Sequence, residues 1–186
     1  MVTWLDVALD GPASLVCPSM AQLQVLGALA AAPEAVLAVG QEHFVTWLAG
    51  RTASEIAASV KAEHGLCTAE LDSPWKISLL LLCGEDPVGI QRIVSGERWP
   101  QRRTVYTSGW VLRSHQGIGI GGAARKAVLD FAFTSCGAEA ARTHVLVDNL
   151  PSRRISERLG YRVIREKAFV EDGYELVEIV YELRPG

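Results

Sequence analysis

The sequence lacks any large excess of charge of one sign. It has 18 lysine and arginine residues against 21 aspartate and glutamate residues, a net charge of −3 over 186 residues. This balance gives no electrostatic case for binding a nucleic acid or an anionic membrane surface. A long unbroken apolar run is also lacking, because Gln22, Gln24, Pro33 and Glu34 interrupt the apolar stretch at 20–39. We therefore predict a protein that binds neither nucleic acid nor membrane.

Cysteines are few and scattered. Cys17, Cys67, Cys83 and Cys136 include no C-x-x-C pair, so the pattern favours neither a zinc site nor a disulfide framework. We expect four free thiols in a reducing compartment and no metal ion. The first ten residues carry no basic leader of the kind found in secretory signals. Together these features predict a cytoplasmic protein.

The length suits a single domain whose first part is mainly helical. A strand is possible at 14–17. Apolar residues at helical spacing follow Ser19 up to about Ala31, and Thr52 or Ser54 can cap a second helix. Between these helices, a patch with aromatic residues either forms the wall of a substrate pocket or packs where the two helices meet. This aromatic-containing patch comprises His43, Phe44, Thr46 and Trp47.

From residue 75 the pattern changes to strands. Strands are predicted at 77–83, 88–94, 104–112, 143–147, 161–170 and 174–183, with a tight hairpin turn at Asp172 and Gly173. One helix should follow the glycines near residue 120, and another should run from the turn at 148–152 to about Leu159. Only the unit around the glycines is a strand–helix–strand crossover. We therefore predict an α/β protein whose mixed, mostly antiparallel sheet contains one parallel βαβ crossover.

The glycine-rich stretch at 104–122 is the strongest candidate for a functional site. A predicted strand leads directly into Gly117, Gly119, Gly121 and Gly122, and these glycines open a predicted helix. Glycines allow a ligand to approach the backbone closely. The first N–H groups of a helix have no intrahelical partners and lie at the positive end of its dipole. The pattern therefore indicates an anion site, most often one for phosphate.

The glycines alone fit more than one ligand. The spacing Gly117-x-Gly119-x-x-Gly122 matches a dinucleotide fingerprint, and Gln116-x-x-Gly119-x-Gly121 matches the pyrophosphate loop of acyl-CoA-dependent acetyltransferases. A tight turn that serves packing alone is a third possibility. Dinucleotide folds place the fingerprint after the first of several parallel strands. Here an antiparallel meander is predicted before the loop, which disfavours a dinucleotide.

A second motif follows the next predicted strand. Asn149-x-x-Ser152 is followed by Ile155 and by the segment 157–161, ERLGY. With the segments 110–112, WVL, and 115–121, HQGIGIG, it resembles the GNAT superfamily of N-acetyltransferases. The resemblance is greatest to the RimJ/RimL branch, which includes ribosomal-protein N-terminal acetyltransferases. It is good from residue 75 onward and loose before it.

The resemblance implies a GNAT fold over 1–186, with helices on both faces of the sheet. Residues 1–74 would form a helical acceptor-side part, and residues 75–186 would form the sheet that binds CoA together with a C-terminal hairpin. Acetyl-CoA, or another acyl-CoA, would be the co-substrate. Its implied binding residues are Trp110, Val111, Leu112, Gln116, Gly117, Ile118, Gly119, Gly121, Gly122, Asn149 and Ser152. Asn149 also suits a helix cap.

The implied reaction is direct attack of an amine on the thioester. Many members of the superfamily have a tyrosine acid four residues before the motif glycine, where this chain has Ser156. We predict that Ser156 is catalytic, although a hydroxyl is a weak acid. Tyr161 is more typical of a packing residue. Four residues remain open as the general base: His115, His144, Glu166 and Glu175.

These features predict an N-acyltransferase, with acetyl transfer to a protein N-terminus, a lysine or a small-molecule amine. A non-catalytic acyl-CoA sensor and transfer of another acyl group, such as succinyl, are the alternatives. The C-terminal hairpin offers an edge strand, so a homodimer is possible.

Overall fold

Short strands and two helices precede a series of longer strands. The computed structural model describes residues 1–9, 11–32, 34–38, 51–171 and 174–186. The strands are β1 Val2–Thr3, β2 Val7–Ala8, β3 Ala13–Val16, β4 Thr68–Ala69, β5 Lys76–Cys83, β6 Asp86–Ser95, β7 Thr104–Val111, β8 Ala140–Leu146, β9 Arg162–Glu171 and β10 Tyr174–Leu183. The helices are α1 Met20–Ala30, α2 Ala53–Lys61, α3 Ile120–Thr134 and α4 Leu150–Arg158. None of these helices is long and apolar enough to cross a bilayer.

Within the described residues, eight strands form one sheet in the order β2-β3-β5-β6-β7-β8-β10-β9. Strand β1 pairs separately with β4. Neighbours in the large sheet are antiparallel, except that β7 and β8 are parallel and are connected through α3. The mixed sheet and the single βαβ crossover predicted from the sequence are confirmed.

Local sequence explains how the first two helices begin. The Ser19 side chain accepts the N–H of Gln22 while the Gln22 side chain accepts the N–H of Ser19, which is a capping box. Thr52 and Glu55 make the same exchange at α2, so Thr52 is the N-cap. The backbone and side-chain hydrogen bonds from Thr52 hold the pKa of the Glu55 carboxyl below its usual range.

Two apolar cores lie on opposite faces of the sheet. One contains Val105 from β7 with Ile120 and Val128 from α3. The other contains Trp110 from β7 with residues of α1 and α2, such as Leu23 and Val60. The alternation predicted for β7 is therefore confirmed, and so are helices on both faces.

In its described residues, the first part of the chain contains strands as well as the helices α1 and α2. Strands β2 and β3 from this part belong to the same large sheet as the later strands. The predicted aromatic patch at 43–47 and the predicted turn at 172–173 lie outside the described residues. At the other end of the sheet, β9 is the edge strand and is mostly exposed. Dimerisation through this edge stays a prediction.

The cysteines correct one expectation. Cys17 and Cys67 form a disulfide with their Cα atoms 5.5 Å apart, so the prediction of four free thiols is wrong for this pair. The two cysteines are separated by 50 residues. Both lie beside β5, because Val16 pairs with Leu80 and the Ser78 N–H donates to the Leu66 carbonyl. No local spacing could have indicated that contact. Cys83 and Cys136 are free, and burial raises the pKa of the Cys136 thiol to about 12. The cytoplasmic location stays a prediction.

We expect the Cys17–Cys67 bond to stabilise the fold by restricting the unfolded chain. Cys17→Ser should lower the free energy of unfolding by about 2–4 kcal/mol, measured by urea unfolding without reductant. The partly buried, unbonded Cys83→Ser is the matched control and should change it by less than about 1 kcal/mol. In denaturant, two thiols should react before reduction and four after it. Four reactive thiols before reduction would contradict the bond.

Candidate active site

The central feature of the site is a gap between β7 and β8. The two strands pair at Thr104↔Ala140, Val105↔Ala141 and Tyr106↔Arg142 and then separate, although β7 continues to pair with β6 up to Val111. Beyond the last parallel pair, Ser108 and Gly109 are exposed. An edge of β7 is thus open within an otherwise continuous sheet, and it can pair with an extended ligand.

Alternation along β7 determines which peptide groups face this gap. The Leu112 N–H donates to the Val88 carbonyl on the β6 side, at 2.7 Å. Successive residues of a strand direct their peptide groups to opposite neighbours. The peptide groups of Gly109 and Val111 therefore face the gap, and the side chains of Trp110 and Leu112 are buried in the core with α1 and α2.

The predicted glycine loop connects the end of β7 to α3. Gly117 and Gly119 have φ values of +79° and +93°, a left-handed conformation that favours glycine, and Gly119 is the N-cap of α3. The first helical bonds run from the N–H groups of Gly122 and Ala123 to the Gly119 carbonyl. The amides of Ile120 and Gly121 precede those bonds at the positive end of the helix. Ile118 is exposed beside them.

Gln116 holds the loop in place. Its Nε2 donates to the Val111 carbonyl at 2.9 Å and to the Val36 carbonyl at 2.8 Å. One side chain therefore links the end of β7 to the segment that follows α1. The Arg113 N–H donates to the Ala35 carbonyl at 2.7 Å and strengthens the same junction.

Asn149 begins α4 as its N-cap, the alternative that the sequence left open. Its side chain accepts the Ser152 N–H at 3.2 Å. The cap places the start of α4 immediately after β8, on the far side of the gap from the glycine loop. Gly121 packs beside the end of β7 and α4, because a Cβ there would lie 3.5 Å from Val111 Cγ2 and 3.9 Å from Ile155 Cδ1.

The gap, the glycine loop and α4 lie within the region recognised by one protein family. The family model described as "Acetyltransferase (GNAT) domain" matches residues 25–162, more than half of the chain. The chain belongs to the GNAT acetyltransferase family.

Solved structures of other acetyltransferases share this GNAT fold at low sequence identity. RimJ from Mycobacterium smegmatis, in complex with a CoA disulfide, is 20% identical with a TM-score of 0.70, covering 96% of this chain and 87% of its own. RimL, a ribosomal alpha-N-protein acetyltransferase in complex with coenzyme A, is 14% identical with a TM-score of 0.72, covering 97% and 98%. The microcin self-immunity acetyltransferase MccE, in complex with acetyl-CoA and AMP, is 17% identical with a TM-score of 0.70, covering 95% and 94%.

Ser156, predicted as catalytic in this GNAT domain, is fully buried in α4. Its hydroxyl donates to the Ser152 carbonyl at 3.1 Å and accepts from Arg125 Nη1 at 3.1 Å. To donate a proton to a ligand, the hydroxyl would have to leave the Ser152 carbonyl. The structure therefore gives Ser156 a packing and bonding role that competes with the predicted chemical one.

Arg125 is a functional candidate that the sequence reasoning missed. It is buried, it forms no ion pair with any residue that the structure describes, and its Nε has no hydrogen-bond partner there. Burial lowers the pKa of its guanidinium, and the Tyr161 hydroxyl opposes that change. Arg125 lies on the apolar stripe of α3 with Val128 and Leu129. A charged residue on such a stripe is the signal that could have identified it.

Tyr161 is buried at the base of the gap. Its hydroxyl shares a hydrogen bond with Thr107 Oγ1 at an oxygen–oxygen distance of 3.2 Å. Burial raises the pKa of the phenol, and the bond to Thr107 and the charge of Arg125 moderate that rise. Thr143 donates its hydroxyl to the Thr107 carbonyl at 3.1 Å, immediately beyond the last parallel pair. These bonds close the lower end of the gap.

Two further glycines shape β7 and were also missed. A Cβ on Gly89 would collide with the Trp110 carbonyl, and a Cβ on Gly109 would lie 2.7 Å from the Ile90 carbonyl. Gln91 is buried beside them and donates to the Ser108 carbonyl at 2.9 Å. Strands β6 and β7 thus approach each other closely where β7 borders the gap.

A cleft of about 460 Å³ lies on the α2 side of the sheet, next to Trp110. Its charged lining residues in the described part of the chain are Arg51, Glu63, Lys76 and Arg92. Glu63 is buried and accepts from Arg92 Nη2 at 2.7 Å and from Lys76 Nζ at 3.3 Å. These bonds attach the end of α2 to β5 and β6. The described part of the chain contains no cluster of His, Cys, Asp and Glu that could hold a metal ion.

We expect the Glu63 bonds to make stability depend on pH. Burial alone would raise the pKa of the Glu63 carboxyl, but the hydrogen bonds and charges of Arg92 and Lys76 outweigh it and hold the pKa below the usual value. The carboxylate therefore stabilises the fold above about pH 4.5, and this stabilisation is lost as pH falls through the lowered pKa. Glu63→Gln should lower the free energy of unfolding at pH 7 by about 1–3 kcal/mol, with the difference from wild type narrowing in acid.

Urea unfolding between pH 3 and 7 measures this effect. Glu139→Gln is the matched control, because Glu139 is exposed and lies 4.0 Å from Arg103. It should change stability by less than about 0.5 kcal/mol. If the loss in free energy of unfolding caused by Glu63→Gln stayed constant across this pH range, the lowered pKa of Glu63 would be contradicted.

Proposed function

We propose that this GNAT protein transfers an acetyl group from acetyl-CoA to a primary amine. The observation that carries the proposal is the gap between β7 and β8, open beyond Tyr106 and Arg142 and bordered at its upper end by the glycine loop. An exposed strand edge and a helix N-terminus are the two features that an extended amide chain ending in a pyrophosphate needs.

The open edge of β7 would hold the pantetheine arm of CoA. The peptide groups of Gly109 and Val111 face the gap and can pair with its amides. Trp110 and Leu112 support this edge from below, because their side chains are buried in the core with α1 and α2. Gln116 Nε2 donates a hydrogen bond to the Val111 carbonyl. The Val111 N–H is therefore the backbone donor nearest the loop that can bind the pantetheine arm.

The glycine loop would hold the pyrophosphate. The left-handed conformations of Gly117 and Gly119 turn the chain so that amides at 117–121 precede the first helical bonds of α3. Hydrogen bonds from amides to a charged phosphate are stronger than bonds between neutral groups. Asn149 and Ser152 border the opposite side of the gap, where the start of α4 lies.

Acetyl-CoA supplies an activated acyl group when it is bound. The chain then has to position an amine and stabilise the negative charge that develops on the carbonyl oxygen. We assign the charge stabilisation to a backbone N–H near Val111 on the open edge of β7, a role that a single fixed donor fulfils for about 3 kcal/mol in other enzymes. The acceptor would approach from the α1 and α2 side, where the cleft beside Trp110 lies.

The proposed branch within the family is RimJ/RimL, and the acceptor class we favour is a protein N-terminus. The similarity to the RimJ and RimL structures supports this assignment. A lysine and a small-molecule amine remain the competing acceptors, and succinyl is the competing acyl group.

A non-catalytic acyl-CoA sensor is the second candidate function. The burial of Ser156 favours it, because this hydroxyl is bonded to Ser152 and Arg125 where many relatives are expected to carry a tyrosine acid. Binding alone cannot separate the two candidates, whereas turnover can.

A charge placed at the start of α3 should weaken CoA binding. A Cβ at Gly122 meets no atom within 4 Å, so a longer side chain fits there. Glu at this third helical position reaches back to the N-cap amide and would occupy the anion site itself. Calorimetric titration should therefore show Gly122→Glu binding CoA at least about tenfold more weakly, a loss of about 1.4 kcal/mol.

Gly122→Gln is the matched control, since it has the same size without the charge. It should lose clearly less affinity than Gly122→Glu, and both variants should keep the wild-type circular dichroism spectrum. Equal affinities for the two variants would show that no anion binds at this helix end. Undetectable binding of CoA by the wild-type protein would refute the proposed function.

Thiol release from acetyl-CoA should occur steadily with at least one amine. A panel of peptides with free N-termini, lysine peptides with blocked N-termini and small amines can be screened, with products identified by mass spectrometry. Succinyl-CoA in the same screen tests the acyl group. CoA binding without turnover on any acceptor would favour the sensor. Comparing kcat for Ser156→Ala with its unfolding midpoint then separates a chemical role of Ser156 from a structural one.

A further inference from the structure

A histidine lies where the two central strands begin to separate. His144 is on β8, two residues beyond Arg142, the last residue paired with β7. Its ring lies 5.8 Å from the Tyr106 ring, centroid to centroid, so its side chain is on the same face of the sheet as Tyr106. That is also the face on which Trp110 meets α1 and α2. The His144 side chain is 40% exposed, so an acceptor can reach it.

A carboxylate holds this histidine from the neighbouring strand. His144 Nδ1 lies 3.0 Å from Glu178 Oε2 on β10. A carboxylate can only accept, so in the neutral imidazole the proton is on Nδ1 and the lone pair is on Nε2. The same arrangement, in which a carboxylate orients a histidine base, recurs in unrelated catalytic sites.

The surroundings leave Glu178 available for this role. Arg142, on the same face, donates its Nε to Glu182 at 2.8 Å, and so it is committed to another carboxylate. On β9, Lys167 lies opposite Glu178. Arg165 lies opposite Val180, the next residue of β10 on that face. From β7, the Tyr106 ring lies beside the His144 ring, and alternation along the strand puts Ser108 on the same face.

The other candidate bases are placed less favourably. Glu166 and Glu175 are exposed on the terminal hairpin, outside the gap. His115 is in the short helix at Arg113–His115, and its Nδ1 lies 2.9 Å from Ser114 Oγ. Neither position combines the edge of the gap with a carboxylate that fixes the ring.

We propose that His144 is the general base of the acyl transfer and that Glu178 positions it. This inference rests on the proposed function. The amine nitrogen forms a bond to the acyl carbon as the carbon–sulfur bond breaks, and the proton of the amine passes to His144 Nε2. The departing thiolate then takes that proton from the imidazolium, which restores the neutral ring. Glu178 is a positioning residue, because it acts on the reaction only through His144.

The test is a pH profile of kcat/KM for the full-length protein, with the best acceptor from the amine screen. His144→Gln should lower kcat by about 100-fold or more at every pH at which the acceptor amine is neutral. Its KM for acetyl-CoA should stay within about threefold of wild type, because His144 is not part of the phosphate loop. Added imidazole should restore part of the activity of His144→Ala, a result that a purely structural role would not give.

Glu178→Gln should retain more activity than His144→Gln across the same pH range, because Glu178 acts on the reaction only through His144. His64→Gln is the matched control, since His64 is exposed beyond the end of α2 and should leave the profile unchanged. Unfolding midpoints close to wild type would exclude loss of fold as the cause.

The outcomes separate the two proposals. If the wild-type protein is active and the kcat of His144→Gln stays within about threefold of the wild-type value across the pH range, the base assignment is wrong. The proposed acyl transfer would still stand. A wild-type protein that binds CoA and acylates no amine overturns the proposed function, and the base assignment falls with it.

Discussion

The early separation of β7 from β8 is the constraint on which the site depends. Two parallel strands that stop pairing leave peptide groups without partners, and such groups must be satisfied by other means. The Thr143 hydroxyl satisfies the Thr107 carbonyl at the lower end of the gap, and the Gln116 amide satisfies the Val111 carbonyl at the upper end. The edge between these two bonds is open to a ligand. Side chains, in place of a neighbouring strand, therefore define the length of the opening.

Beneath the gap, the GNAT core contains polar groups where apolar packing would be simpler. Arg125, Ser156 and Tyr161 are buried near one another, and the guanidinium has a hydroxyl partner instead of a carboxylate. A buried cation costs stability unless hydrogen bonds compensate for its lost hydration. Natural cores retain such costly groups mainly where they serve a specific structure or a ligand. The position of this cluster at the base of the gap suits either purpose.

Sequence patterns predicted the parts of the fold that depend on local residues. Alternation along 104–112 and the glycines that follow predicted β7, the loop and α3, because their signals are contiguous. The Cys17–Cys67 bond, the second bond of Gln116 to Val36 and the contact of Arg125 with Ser156 were not predictable. Each joins residues at least 31 positions apart, and their meeting depends on the completed sheet. The proposed role of His144 depends on Glu178, which β10 places beside it.

Gln116 has a consequence for how the two substrates would influence each other. Its amide is bonded at once to the strand that borders the gap and to the chain segment after α1, on the side where we place the acceptor. Any rearrangement of the loop on anion binding would be transmitted to that segment through one rigid amide. Thermodynamic linkage then requires the reverse effect to be equal, so each substrate would change the affinity of the other by the same factor. A single glutamine would thus make the binding of donor and acceptor cooperative.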